Sequence, residues 1–339
     1  MRQTDEDGRL LHENVAEIQR ARIVSAMAEV CRERGASNVS VAHVVGRAGV
    51  SRRTFYELFS DRDDCFLAAF DDAVERIGAL VMPAWRGDGS WRERIRGSLV
   101  ALLSFLDYDP GMGRLVIVES LGAGRSALER RGHVLAQVIA AVDAGRGEAK
   151  SASDAQPVAA EGAVGAVLSV LYARLSEERP GRLVELTNPL MSMIVLPYLG
   201  SAAARRELTR PVPKPDTAVS RSPSMSDPLR ELNMRLTYRT VRVLVAIGAH
   251  PGASNRAVGR QAGIDDQGQI SKLLARLARL GLVENGGGVA RGAANAWRLT
   301  TRGVELERAI GESARRSSVG KAGGRVTAVP SSPGAGRRR

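Results

Sequence analysis

The sequence predicts a mainly α-helical chain that closes with a helical unit bearing a small β-wing. Three observations carry that expectation. Apolar residues recur at three- and four-residue spacing through most of residues 17–208. Residues 209–226, TRPVPKPDTAVSRSPSMS, hold four prolines among Ser, Thr and basic residues, the composition of a stiff linker. Beyond it the helical pattern restarts and ends in two short strand-like runs, Leu282-Val283-Glu284 and Trp297-Arg298-Leu299, on either side of Gly286-Gly287-Gly288.

The totals bound the partners. At 339 residues there is room for two or three domains with cores of their own. The net charge of +12 is unevenly spread: +1 over residues 1–60, −2 over 61–212, +7 over 213–310 and +6 over 311–339. Such a lopsided basic balance points to a polyanion, most simply nucleic acid, and double-stranded DNA is the expected partner. There is no uninterrupted apolar run of membrane length, and MRQTDEDGRLLHEN lacks the apolar centre of a signal peptide. The expected address is therefore cytoplasmic and nucleoid-associated, with no membrane. Cys31 and Cys65 both fall on core-like helical positions, which argues against a disulfide scaffold.

Taken in order, residues 1–16 read as a flexible arm of mixed charge. Residues 17–64 then read as a helix-turn-helix domain. Ile23, Met27, Val30 and Cys31 make the stripe of a helix ending near Gly35. Ser40 and Ser51 are N-cap residue types, and Gly49 between them permits a turn with positive φ. Val41, Val44 and Val45, with Val50, Phe55 and Phe59, supply the apolar contact that packs the two short helices together. Arg52, Arg53, Thr54 and Tyr56 are left at the start of the second helix with no core to enter. In a helix-turn-helix that segment enters the major groove, where Arg meets guanine and hydroxyls meet phosphate. The plain alternative is a helical hairpin with a basic solvated face.

The flanks favour DNA. Ile23, Gly35, Ser40-Val41, Ala48-Gly49-Val50-Ser51, Thr54-Phe55-Tyr56, Phe59 and Arg62 together resemble the N-terminal domain of TetR-family transcriptional regulators, without a gap from about residue 18 to 70. The resemblance implies DNA contacts from Ser40, Val41, Ser51, Arg52, Arg53, Thr54, Tyr56 and Arg62. Two departures are visible: Arg62 stands where Lys is usual, keeping the charge for a phosphate, and Cys65 stands where Leu is usual.

Residues 65–208 read as a helical regulatory and dimerisation domain. A helix from about Asp61 stops at Pro83, Ser90 caps a second, Asp109-Pro110-Gly111 breaks it, Leu115–Leu121 is short, and Arg125–Ala144 follows. Pro157–Glu178 and Asn188–Leu208 are two very apolar helices. The first lines up Gly162, Gly165, Ala166 and Ser169, small residues that let backbones approach closely. The second is apolar on more than one face, with Met191, Ile194 and Val195. The resemblance implies that this pair forms a four-helix bundle across a homodimer; burial inside one large core is the alternative. It also implies a small-molecule effector pocket, whose wall candidates are Trp85, Phe105, Tyr108, Met112, Val118 and His133.

Residues 227–312 read as a second DNA-binding head. Pro228–Gly248 is helical, Ser254 caps Asn255–Ala262, and Asp266 caps a long helix carrying Ile270, Leu273, Leu274, Leu277 and Leu280. AVGRQAGI looks like the device of VVGRAGVS used again, with a turn one residue longer. Ser271-Lys272-Leu273-Leu274, Leu277, Leu280-Gly281-Leu282-Val283, Leu299-Thr300 and Gly303 resemble MarR-type winged-helix domains over about residues 229–310. Asn255, Gln267, Gln269, Ser271, Lys272 and Arg276 are the candidate contacts from its helices, and Arg291 from its wing. Residues 313–339 are Gly, Ser, Pro and Arg without periodicity, and read as a disordered basic tail.

No enzyme is readable. His12, His43, His133 and His250 lie on separate elements, and neither a phosphate-cradling Gly loop nor a Ser elbow is present, so no cofactor or metal is expected. The reading is a ligand-responsive regulator, a repressor by expectation, binding an inverted repeat as a homodimer. Three alternatives stand beside it: an architectural DNA binder of low specificity, a regulator whose winged helix docks a partner protein, and an enzyme whose residues do not read as a set.

Overall fold

The computed structural model describes residues 2–148, 158–177, 181–211, 238–287 and 295–308. Most of the expected linker, wing residue Arg291 and the tail lie outside them. The chain divides into two compact units, residues 21–226 and residues 1–20 with 227–339.

Helix α1 spans Arg2–Arg34, so the expected arm is helical from its second residue. In the first unit its Ile23, Met27, Val30 and Cys31 are buried, as their spacing predicts. Gly35, at φ 75°, turns the chain into a short 3-10 segment, Ala36–Asn38. Then come α2 (Val41–Ala48), α3 (Arg52–Leu58) and α4 (Arg62–Arg86). Pro83 does not stop α4. It sits in the last turn, where the missing N–H removes a single ladder bond.

Helix α5 (Trp91–Tyr108) packs along α4 and starts at a capping box between Ser90 and Glu93. Asp109-Pro110 breaks the chain as expected and also starts α6 (Pro110–Ile117): the Asp109 carboxylate accepts the Met112 N–H at 3.0 Å. A 3-10 turn, Glu119–Leu121, leads to α7 (Arg125–Asp143). Helices α8 (Ala159–Ser176) and α9 (Thr187–Leu208) follow. Its core is continuous from Ile23 and Phe55 through Phe70, Trp91, Leu103 and Leu115 to Leu171 and Leu190.

By length and composition Leu183–Leu208 could cross a membrane, but half of its apolar window is buried inside the fold. Its far end carries Glu207, fully buried, whose Oε2 accepts from Arg96 at 2.7 Å. Arg96 also donates to Asn188 Oδ1 at 2.6 Å. Buried charges of this kind hold only where they are paired and hydrogen-bonded, as these are.

The second unit contains α10 (Tyr238–Ala249), α11 (Asn255–Ala262) and α12 (Gln267–Arg279). Strands β1 (Val283–Asn285) and β2 (Trp297–Leu299) pair antiparallel with Glu284 opposite Arg298, and residues 301–308 are helical. Val241, Leu244, Ile247, Val258, Ile270, Leu274, Leu277, Leu282 and Leu306 fill its core, joined by Val15 and Ile18 of the N-terminal stretch.

Candidate nucleic-acid interface

Local chemistry builds the turn between α2 and α3. The Ser40 hydroxyl accepts the His43 N–H at 3.4 Å, while His43 Nδ1 accepts the Ser40 N–H at 3.3 Å. Both orphan donors at the start of α2 are thus satisfied reciprocally. Gly49 ends the helix at φ 64°, the left-handed conformation a residue with a Cβ resists. Ser51 then caps α3 by accepting the Thr54 N–H at 3.0 Å. Val44 and Phe55, fully buried, clamp the two helices, and Phe59 stacks against Phe55 at 5.6 Å between centroids.

That clamp decides what α3 presents. With Phe55 inward, Arg52, Arg53 and Tyr56 point outward; the Arg53 side chain is 89% exposed and Tyr56 is 58% exposed. Ser40 is exposed, whereas Val41, Ser51 and Thr54 are half-buried. The face is basic but not bare. Arg53 pairs with Glu57 at 2.8 Å, a contact that raises the guanidinium's pKa. Arg47 on α2 is turned away onto Glu29 and Glu33 of α1, at 2.9 and 2.6 Å, and its hydrogen bond holds Glu33 below the usual carboxylate range. Arg62, expected to be available to a phosphate, instead pairs with Asp63 at 2.5 Å and donates to the Ala36 carbonyl at 3.3 Å.

In the second unit α12 exposes Gln267, Gln269, Ser271, Lys272 and Arg276 on one side, while Ile270, Leu274 and Leu277 face the core. Asp266 caps that helix through the N–H groups of Gly268 and Gln269, which lower its pKa. Arg239 reaches Gln269 Oε1 at 2.9 Å. Asn255 is a correction: its amide is committed internally, donating to Ser271 Oγ at 3.1 Å and accepting from Trp297 Nε1 and Asn295 Nδ2 at 2.6 and 2.9 Å.

The other two sets of candidates divide. Met191, Ile194 and Val195 are at most 5% exposed within their own protomer, so they are not a face for a second copy. The exposed residues of α9 include Met193 and Leu196, and those of α8 include Gly162, Gly165, Ser169 and Tyr172; Ala166 is half-buried. Of the expected pocket wall, Phe105 and Met112 are buried, Trp85 and Val118 are half-buried, and Tyr108 and His133 face solvent. Six residues in such different surroundings do not form one wall. Trp85 instead lies under the Arg94 guanidinium, 5.0 Å from its ring centroid.

Sequence reasoning missed His43, Glu29, Glu33 and Glu57 as partners of this surface. The Arg53–Glu57 spacing of four residues is a readable signal. The Arg47 pairs, set by how α1 and α2 cross, carry none.

The family model for bacterial regulatory proteins of the tetR family matches residues 23–69. The HTH-type transcriptional activator FasR of Mycolicibacterium smegmatis is 29% identical over 98 residues, covering 29% of this chain and 45% of that protein. An uncharacterised HTH-type transcriptional regulator of Haemophilus influenzae is 27% identical over 108 residues, 32% of this chain and 53% of its own length. The chain thus spans about half the length of the curated relatives it matches. Among solved structures, the fatty acid degradation regulator FadR of Bacillus halodurans aligns with a TM-score of 0.47 at 16% identity, covering 52% of this chain and 97% of that one. Residues 23–69, the stretch built around α2, the Gly49 turn and α3, are thus similar to the model of bacterial regulatory proteins of the tetR family.

Proposed function

We propose that the protein is a ligand-responsive transcriptional repressor that binds an inverted repeat as a homodimer, with α3 as its reading helix. One observation carries this reading: the Gly49 turn and the buried Phe55 leave Arg52, Arg53 and Tyr56 outward on the first turns of a capped helix. In a two-fold dimer two such helices enter successive major grooves about 34–36 Å apart. A small molecule that favours another spacing releases the DNA, to the extent of its differential affinity for the two states. The contacts proposed for this head are Ser40, Val41, Ser51, Arg52, Arg53, Thr54 and Tyr56.

The second unit is proposed to act as a winged helix, reading DNA through α12. Its support is the exposed polar and basic side of that helix, the antiparallel strand pair beyond it, and the +7 balance of residues 213–310. The same basic balance favours a second reading, an architectural binder of low specificity.

Footprinting the full-length chain on DNA upstream of its own gene separates the two. An inverted-repeat footprint that vanishes in Arg52→Ala/Tyr56→Ala supports the repressor. Protection without sequence preference, unchanged by those substitutions, sinks it.

A further inference from the structure

One peptide group in the turn between α1 and α2 is held from both sides. The Ala36 N–H donates to Glu119 Oε2 at 2.8 Å, a bond that links residues 83 apart in sequence. The Ala36 carbonyl accepts from Arg62 Nη1 at 3.3 Å, at the first residue of α4. Glu119 is 7% exposed and belongs to the 3-10 turn after α6, in the helical body below the reading head. A buried carboxylate is costly unless it is hydrogen-bonded and paired, and both conditions are met here. Arg114 Nη2 lies 3.3 Å from Glu119 Oε1, while Arg114 Nη1 donates to the Leu175 carbonyl at 2.8 Å, in the last turn of α8.

The place of this bond matters more than its strength. Gly35, at φ 75°, precedes Ala36, and the Ser40 cap that starts α2 lies four residues beyond it. The peptide that Glu119 grips therefore lies where the chain sets the direction of α2, and through the Gly49 turn that of α3. A chain of directed bonds runs from the Leu175 carbonyl through Arg114 and Glu119 to Ala36.

We infer that Glu119 is a positioning residue for DNA recognition: it fixes the pose of α3 on the helical body, and Arg114 makes that pose depend on how α6 and α8 are packed. The inference rests on the reading of α3 as a DNA-reading helix. It assigns to Glu119 no contact with DNA.

The test uses the full-length chain and duplexes that the wild type selects from a randomised pool. Glu119→Gln keeps an oxygen for the Ala36 N–H, whereas Glu119→Ala removes it and Glu119→Asp draws it back by one carbon. The expected result is affinity near wild type for Gln and a loss of roughly tenfold for Ala and Asp. Base preference should stay unchanged, because the α3 side chains are intact. Amide exchange at Ala36 should speed up in Ala and Asp but not in Gln. If Ala does not fold, the Gln–Asp pair gives the same contrast.

Ala and Asp variants that fold and bind as tightly as wild type overturn the inference and leave the DNA reading standing. So does an affinity loss that Gln shares and that tracks only the drop in melting temperature. A wild-type chain that selects no duplex sequence overturns both.

Discussion

The indole N–H of Trp297 donates to Asn255 Oδ1 at 2.6 Å, joining strand β2 to the first residue of α11. The same amide reaches Ser271 on α12, so one side chain locks the strand pair to the proposed reading helix. Asn255→Ala strands a part-buried indole N–H. The expected cost is about 1–3 kcal/mol, read as a lower midpoint in thermal unfolding followed by Trp fluorescence. Asn255→Asp retains the acceptor for Trp297 and should recover part of the loss.

Arg53 should discriminate between bases. Its side chain projects from the first turn of α3 and pairs with Glu57 at 2.8 Å. Arg53→Ala is expected to weaken operator binding roughly tenfold or more and to relax preference at one position of each half-site. Glu57→Ala should tighten binding without changing preference. A selection experiment on both variants checks the pair.

Glu207 should matter to stability and not to DNA. It is fully buried and takes Arg96 at 2.7 Å, with Arg92 and Arg210 farther out at 3.6 and 3.5 Å. Glu207→Ala leaves a buried guanidinium without its counter-charge, at a cost of about 3–5 kcal/mol. Chemical denaturation of the full chain measures it.

Cys31 gives a pH signature. Burial, the largest cause, and the nearby Glu119 carboxylate push its thiol up to about 12 from an ordinary 9.0, although the Arg62 charge opposes them. The folded state therefore holds the proton more tightly than the unfolded chain does. Its contribution to stability is complete below pH 9 and is lost as pH rises from there toward the folded value. Iodoacetamide at pH 8 should leave Cys31 unmodified in the native protein and label it in urea, as mass mapping would show.

The basic last third should govern salt dependence. Lys272 and Arg276 are exposed on α12. Removing either in the full chain should flatten the plot of log affinity against log salt by about one unit, if each meets a phosphate. An unchanged slope in both variants would point to a protein partner for that helix.

Legibility followed the range of the forces involved. Ser40, Gly49 and Ser51 act within a few residues, so their types alone mark the caps and the turn. Phe55 and Val44 were readable because a short amphipathic helix has only one side to bury. Met191, Ile194 and Val195 were not, because a helix apolar on several faces carries no mark of which face meets its own core and which a neighbour. Asn255 failed for a related reason. A polar residue at a helix start looks the same whether it will bond DNA or an indole 42 residues away. The Arg47 pairs and the Glu119 grip depend on how distant helices cross, and periodicity does not encode that.

The carboxylates that accompany Arg47, Arg53 and Arg62 bear on how the protein would travel along a genome. Guanidiniums already matched within their own subunit gain little from an arbitrary phosphate, since each must first release a partner of opposite charge. Random duplex then holds the head only briefly, and dwell time accrues where base edges add their own bonds. On the proposed reading, sequence-independent hold on DNA would rest instead on the basic balance of residues 213–339, leaving the first head to discriminate.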